Sequence, residues 1–324
     1  MKQIAILGMM LAVASWSYAQ AGSNQNKTAP SAQSGQQQGA TQGNAAQGAQ
    51  APAAKHPPQA KTQPEFDAFK TASANQDPAA LEKAADEFAG KFPDSELRII
   101  LYKTAMRAYQ SANNADKMME MGRKALAIDS DDPEALVDVA EVLTERTRDT
   151  DLDKDQRLAE ARQAAEKAIK TVDTDVVFPA STPPENVDKY KNLLRSSAYS
   201  ILGTLDFNKG DFPAAQTSFQ KSIDAYPQQP DPVTVLRLSL ALDRQNKYPE
   251  ALTVANKAVE LTQEGTPAGT LARRERDRLT QLTGGKPAGS QGATTPGTTP
   301  GASTPAPPNA PAASNPGQTT PPKQ

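Results

Sequence analysis

The amino-acid sequence predicts an all-α protein, a solenoid of about five helix pairs with a C-terminal capping helix, flanked by disordered tails. In the middle of the chain Ala, Leu, Glu, Lys, Arg and Gln dominate, and runs of β-branched residues are scarce. Apolar residues recur three and four positions apart, which is the period of an amphipathic helix. The pattern also repeats after about 34 residues, a spacing typical of stacked helix pairs.

Residues 1–19 have the features of a secretory signal. Lys2 precedes a short apolar run over residues 4–16, and Ser17, Tyr18 and Ala19 lead to a cleavage point after Ala19. The run is shorter than the roughly 20 apolar residues of a membrane-spanning helix. We therefore expect an exported protein, periplasmic or extracellular, that does not insert into a membrane after cleavage. An uncleaved anchor is the alternative.

Two segments lack every large apolar residue, namely residues 20–63, rich in Gln, Gly and Ala, and residues 285–324, rich in Pro and Thr. Neither segment buries enough apolar surface to offset the entropy of ordering a chain. Both are predicted to be disordered. The folded part is therefore predicted to cover residues 64–284.

Composition excludes several functions for residues 64–284. Six of the 35 Lys and Arg residues lie outside this range and all 37 Asp and Glu residues lie inside it, so it carries a formal charge of −8. This charge argues against nucleic acid as a partner. The chain has no cysteine, and its one histidine, His56, lies in the predicted linker. Without Cys or His, the folded part lacks the usual nucleophile–base pairs, so we predict no enzymatic activity and no required cofactor.

The clearest repeat unit covers residues 196–229. Small residues are expected where its two helices cross, a glycine at the turn between them, and a proline after the second helix. The positions that carry this pattern are Tyr199, Leu202, Gly203, Gly210, Ala215, Phe219 and Pro227. The pattern resembles the tetratricopeptide repeat, and it departs from that family at Asp206, where an aromatic residue is usual, and at Ser222, where alanine is usual.

Four further units show the same theme with weaker matches. Residues 232–265 follow it at Tyr248, Ala251 and Ala258. Residues 64–95, 99–132 and 133–173 follow it less closely, and residues 266–283 are predicted to form a polar closing helix. Residues 174–187, which contain two Pro-rich steps, are predicted to form a loop. A helical bundle without repeats is the alternative to this interpretation.

The resemblance implies a right-handed superhelix whose concave groove is lined by the first helix of each pair and binds an extended peptide or a partner's helix. Aligning the units places eleven side chains in that groove: Lys103, Arg107, Glu141, Glu145, Ser200, Thr204, Asn208, Leu236, Leu240, Asp243 and Arg244. A protein-interaction scaffold is therefore the predicted function. A structural or surface-associated envelope protein that acts through its disordered tails is the alternative.

One acidic segment resembles a helix-flanked calcium loop. Carboxylates stand at its first, third, fifth, seventh and twelfth positions, namely Asp149, Asp151, Asp153, Asp155 and Glu160. Lys154 opposes this interpretation, because it stands where a calcium loop needs glycine. The same carboxylates could instead cap the helix that follows. Both a weak calcium site and a plain acidic loop remain open at this point.

Overall fold

The structure, a computed structural model, describes residues 55–285 and shows eleven α-helices and no strand in that range. The helices are α1 (Gln63–Ser73), α2 (Pro78–Lys91), α3 (Arg98–Ser111), α4 (Ala115–Ile128), α5 (Pro133–Arg146), α6 (Lys154–Thr171), α7 (Pro184–Lys209), α8 (Phe212–Ala225), α9 (Pro232–Asp243), α10 (Tyr248–Leu261) and α11 (Pro267–Leu282). They pack as five consecutive pairs, α1 with α2 through α9 with α10, and α11 packs on the last pair. The predicted all-α solenoid with a capping helix is confirmed.

Three of the predicted segments extend beyond the described range. The signal at residues 1–19, most of the linker and the tail from residue 286 lie outside the residues that the structure describes. Between residues 55 and 285, no helix combines the length and the apolar character needed to cross a membrane.

Polar caps followed by proline start many of the helices. The Oδ1 of Asp132 accepts a hydrogen bond from the amide of Ala135 at 2.9 Å, and Asp77 caps α2 in the same way. Proline is well placed in the first turn because its fixed φ suits a helix and its missing N–H would have no partner there. Short Asp-Pro steps in the sequence therefore mark where α2, α5 and α9 begin.

The two helices of the clearest unit touch at a glycine. A Cβ added to Gly203 on α7 would lie 2.5 Å from Cδ1 of Phe219 on α8, closer than atoms of a packed core approach. Phe219 and Ala215 are fully buried at this crossing. The missing side chain at Gly203 therefore lets the aromatic ring fill the space between the helices, as the repeat pattern predicts.

The turns inside three pairs share a left-handed residue at the equivalent position. Gly210 has φ 86°, Asn113 has φ 56° and Asn246 has φ 60°. Asn tolerates this conformation better than most residues because its short polar side chain bonds locally. The turn between α3 and α4 is therefore the same turn as in the clearest unit, although Asn113 replaces glycine there.

The apolar core passes without a break through the middle of the solenoid, because α5 contributes to two neighbouring clusters. Ala135 and Val142 pack with the first two pairs, whereas Leu136 and Leu143 pack with α6 and α7. The remaining residues of the predicted repeat pattern are buried or partly buried: Tyr199, Leu202, Tyr248, Ala251 and Ala258. Pro227 follows the end of α8, where a stop was predicted.

Helix α7 is longer than the sequence pattern indicated. It begins at Pro184, so the predicted loop at residues 174–187 ends four residues early, and residues 184–195 extend the repeat helix toward its N-terminus. The loop prediction treats Pro183 and Pro184 as chain breaks, but a proline in the first turn favours a helix start. Leu194 is buried in the α5–α7 cluster and Tyr190 packs against that cluster, so this extension is part of the core.

Residues 55–62, which composition assigns to the linker, lie against the loops that join successive pairs. The ammonium of Lys55 is 2.6 Å from Oδ1 of Asp129 and 2.5 Å from Oδ1 of Asp175. Lys61 donates to the carbonyl of Asp94 at 2.7 Å. Composition misses these contacts because ion pairs and hydrogen bonds, rather than apolar burial, hold the segment.

We predict that Gly203→Ala lowers the free energy of unfolding by about 2 kcal/mol, because the new methyl group overlaps the buried ring of Phe219. Urea denaturation of the full chain measures this change. Gly90→Ala is the matched control, since nothing lies within 4 Å of its added Cβ. That variant should be neutral or more stable by up to about 1 kcal/mol. Equal effects at the two sites would contradict close packing at Gly203.

Candidate partner-binding surface

The first helices of consecutive pairs form one polar surface, which we name the first-helix surface and define by α3, α5, α7 and α9. The predicted groove residues lie on these four helices, except Arg244, which caps the end of α9. The helices α5 and α7 pack directly on each other, and so do α7 and α9. The structure therefore brings the predicted residues onto neighbouring elements.

Lys103 and Arg107 on α3 pair with carboxylates at the start of α5. The ammonium of Lys103 is 2.7 Å from Oδ2 of Asp132 and 2.9 Å from Oε2 of Glu134. Arg107 binds Glu134 with two nitrogens, Nη2 donating to Oε2 at 2.6 Å and Nε donating to Oε1. The basic end of the predicted groove is therefore neutralised within the chain.

The electrostatics of this ion cluster depend on burial and on charge. Burial raises the pKa of Glu134, but Lys103 and Arg107 outweigh it and lower that pKa to about 2. Burial likewise lowers the pKa of Lys103, and the charges of Glu134 and Asp132 more than reverse this effect. The cluster therefore stays ionised at neutral pH and links α3 to α5 across the surface.

Asp138 lies one helical turn after Glu134 and has no such partner. Its residue is 8 % exposed, and within residues 55–285 no side chain forms an ion pair or a hydrogen bond with its carboxylate. Burial, and then the charges of Glu134 and Glu141, raise the pKa of Asp138 well above its usual value. An unpaired carboxyl group in this setting costs free energy when it ionises.

Tyr190, on the N-terminal extension of α7, also belongs to this region. Its hydroxyl oxygen lies beside the ion pair of Arg107 and Glu134, and burial, together with the charge and hydrogen bonding of Glu134, raises the pKa of Tyr190 well above its usual value. Its ring packs edge-on against Phe178, with 5.4 Å between centroids. Aligning the chain's own repeat units does not include Tyr190, because residues 184–195 precede the unit that begins at residue 196. Tyr190, Leu194 and Ala198 are spaced four positions apart, and this helical spacing predicts that they share one helix face.

Glu141 and Glu145 continue the α5 surface toward α9. The charges of Glu145 and Glu141 act on the guanidinium of Arg237, but burial outweighs them and lowers the pKa of Arg237. Arg237 also donates to Oγ1 of Thr204 on α7 at 2.7 Å. This arginine was not among the predicted groove residues, yet it joins three first helices.

The α7 part of the surface is polar and mostly engaged. Ser200 and Thr234 share a hydroxyl hydrogen bond of 2.8 Å between α7 and α9. Thr204 donates to the carbonyl of Ser200 and accepts from Arg237. Asn208 is exposed near the end of α7. It is therefore the predicted α7 residue that is most accessible from solvent.

The prediction that Leu236 lines an apolar end of the groove is wrong. This residue is 4 % exposed and packs with Ala258 and Ala272, and Leu240 packs partly against the same cluster. Alignment placed Leu236 on an open face, but α11 stacks beside α9 and covers it. Leu236 on α9 thus supplies part of the apolar surface against which the capping helix α11 packs.

The two charged residues at the end of α9 also have partners within the chain. The Oδ1 of Asp243 is 2.6 Å from Nη2 of Arg278 on α11. The guanidinium of Arg244 lies 5.9 Å from the centroid of Phe212, at the start of α8. Arg244 therefore points toward a second helix rather than along the first-helix surface.

The predicted calcium loop is not assembled in the structure. Helix α6 begins at Lys154, so the last two carboxylates of the motif are helical, and Glu160 binds Arg123 at 3.0 Å. Lys154 pairs with Asp149 at 2.8 Å, and Asp151 accepts a hydrogen bond from the amide of Arg148. Asp153 and Asp155 stand at the start of α6. These five carboxylates therefore do not converge on one point.

Among the described residues, one trio of carboxylates has oxygens within 4.8 Å of one another, and it lies elsewhere. Asp129, Asp131 and Asp175 come from the loops after α4 and α6. Lys55 pairs with two of them and Lys167 with Asp131 at 2.7 Å. The negative charge of this trio is thus balanced by lysines of the same chain.

We predict that Glu134→Gln lowers the free energy of unfolding at pH 7 by about 3 kcal/mol, because it leaves two partly buried cations without their shared partner. The folded-state pKa of Glu134, about 2, lies below its ordinary value of 4.5, so its stabilising contribution is present above about pH 5 and is lost as the pH falls toward 2. Chemical denaturation at several pH values should therefore show the two proteins converging in acid.

The control for this comparison is Glu87→Gln, since Glu87 is 70 % exposed and 3.8 Å from Lys83. Its effect at pH 7 should stay below about 0.5 kcal/mol. If the free energies of unfolding of wild type and Glu134→Gln differ as much in acid as at neutral pH, the ionic role of Glu134 is contradicted.

No protein-family model matches the chain, and no curated protein sequence matches it. Three solved structures are similar to the chain at low identity and with TM-scores below 0.5. PilF of Pseudomonas aeruginosa has 17 % identity and a TM-score of 0.46, over 68 % of this chain and 84 % of that one. MamA has 15 % identity and a TM-score of 0.42, over 72 % and 96 %. TTC0263, a thermophilic TPR protein of Thermus thermophilus, has 13 % identity and a TM-score of 0.40, over 65 % and 98 %.

The nature of the repeat follows from the chain's own packing. Five helix pairs, the close contact of Gly203 with Phe219, and left-handed turns at equivalent positions are the features that the tetratricopeptide pattern predicts. Residues 55–285 thus fold as a helical solenoid of tetratricopeptide type.

Proposed function

We propose that this chain is an exported, non-catalytic scaffold that binds a segment of a partner protein along the first-helix surface. Stacked helix pairs present their first helices side by side, which suits an extended peptide or a helix. The absence of His and Cys from residues 64–284 supports a role without catalysis. The acidic charge of that range supports a protein partner over nucleic acid.

A single observation carries the proposal, namely that the buried carboxylate of Asp138 on α5 forms no ion pair or hydrogen bond within residues 55–285. Glu134, one turn earlier on α5, is by contrast paired with Lys103 and Arg107. A buried polar group without a partner is the feature that a bound segment would satisfy. We therefore place the centre of the binding surface on α5.

Site-specific photo-crosslinking in the native host tests the location of binding. We predict that a photo-crosslinking amino acid in place of Asn208, which is exposed on α7, forms adducts with a partner protein. The matched control carries the same amino acid in place of Gln220, which is exposed on the second helix α8. Adducts from position 220 without adducts from position 208 would contradict binding on the first-helix surface. Adducts that appear only from the Pro/Thr-rich tail would favour a role for the tails instead.

Export is tested separately through the N-terminus of the mature protein. The positive residue Lys2, the apolar run at residues 4–16 and the small residues before Ala19 motivate this part of the proposal. We predict that protein recovered from the periplasm or the medium begins at Gln20, as determined by mass spectrometry. Full-length protein confined to the cytoplasm would contradict export and would leave the binding proposal unaffected.

A further inference from the structure

Four carboxylates follow one another along the first-helix face of α5. Glu134, Asp138, Glu141 and Glu145 are separated by four, three and four positions, so they share one side of the helix. Glu134 is held by two cations of α3, and the charge of Arg237 on α9 acts on Glu141 and Glu145. Lys103 also pairs with Asp132, and the charge of Asp231 also acts on Arg237, so the cations beside this face are already shared among several carboxylates.

Asp138 differs from every other buried carboxylate that the structure describes. The others all have partners: Glu65 accepts from the amide of Lys61, Asp132 and Glu134 pair with Lys103, Asp206 binds Arg162, and Glu275 binds Arg278. Asp138 alone among them is without a hydrogen bond or an ion pair within residues 55–285. Asp138 is therefore the buried carboxyl group whose negative charge, once it ionises, no contacting group of the described range offsets.

The surroundings of Asp138 favour a cation over other ligands. A buried carboxylate repels anions and gains little from an apolar group, whereas a cation supplies both opposite charge and N–H donors. The buried hydroxyl of Tyr190, which lies beside Arg107 and Glu134, offers a second oxygen in the same region. A group that carries several N–H donors suits two neighbouring oxygen acceptors.

We propose that a lysine or arginine side chain of the partner segment docks against Asp138 on the first-helix surface. This inference rests on the proposed function and adds the chemistry of the partner to it. The docked cation would pair with the ionised carboxylate of Asp138 and would make Asp138 the position that selects for a basic residue. Neighbouring positions of the segment would lie along α7 and α9, where the described surface is polar.

Docking of a cation at Asp138 is coupled to proton release. The charged groups that face it are Lys103 and Arg107 from α3, Glu134 and Glu141 from α5, and Tyr190 from α7. Burial and the two glutamates hold its pKa high, so the free carboxyl group keeps its proton to a higher pH than an exposed one. A bound cation favours the ionised form, so binding releases a proton and strengthens as the pH rises.

A peptide-display selection with the full chain as bait tests the proposal. The probe is a library of short random peptides, and the baits are wild type, Asp138→Asn and the control Asp224→Asn, whose exposed carboxylate lies on the second helix α8. Peptides selected by wild type should be enriched in Lys or Arg at one position. They should bind Asp138→Asn about 30-fold more weakly and Asp224→Asn equally well.

Calorimetry in two buffers of different ionisation enthalpy then measures protons released on binding of a selected peptide. Wild type should release protons and Asp138→Asn should not. Replacing the enriched Lys or Arg of the peptide with an uncharged residue should weaken binding to wild type to the same degree, which keeps the test informative if Asp138→Asn misfolds. Equal binding of the charged and uncharged peptides would overturn this inference alone. Selection of no peptide by wild type would overturn the proposed function as well.

Discussion

The first-helix surface depends on the buried pairing of Glu134 with Lys103 and Arg107. Charges withdrawn from water are tolerated only with close partners, and here two cations of α3 share one carboxylate at the start of α5. This pairing fixes the relation of the second pair to the third and neutralises one end of α5. The carboxylates farther along α5 must then find cations elsewhere, from Arg237 or from a bound partner.

In this solenoid, the residues that pack the core and the residues that form the polar surface lie on different sides of the same helix. The small residues at the crossing of α7 and α8 bring the helices into contact and bury Phe219. The opposite side of the first helices α3, α5 and α7 thereby carries polar groups without loss of core. Asp138 remains unpaired in this arrangement, because the cluster that stabilises Glu134 occupies the nearest cations.

The sequence predicted the helix pairs well, because their periodicity and their small residues reflect local packing. It also predicted which helices line the first-helix surface. It did not predict that Lys103 and Arg107 are neutralised within the chain, since pairing partners 29 and 27 positions away depend on how repeats stack. Leu236 was misplaced for the same reason, because only the position of α11 buries it. The extension of α7 was missed at Pro184, where proline starts a helix instead of ending one.

A double-mutant cycle between Arg107 and Glu134 tests most directly whether this buried ion pair joins α3 to α5. Chemical denaturation at neutral pH measures the free energy of unfolding of each variant. The single variant Glu134→Leu leaves two cations without their shared partner and should cost about 3 kcal/mol, whereas Arg107→Met leaves Glu134 with Lys103 alone and should cost about 2 kcal/mol. The double variant should cost less than the sum by at least about 1 kcal/mol, because it removes both charges together. Strictly additive costs would contradict the claim that this buried pair joins α3 to α5.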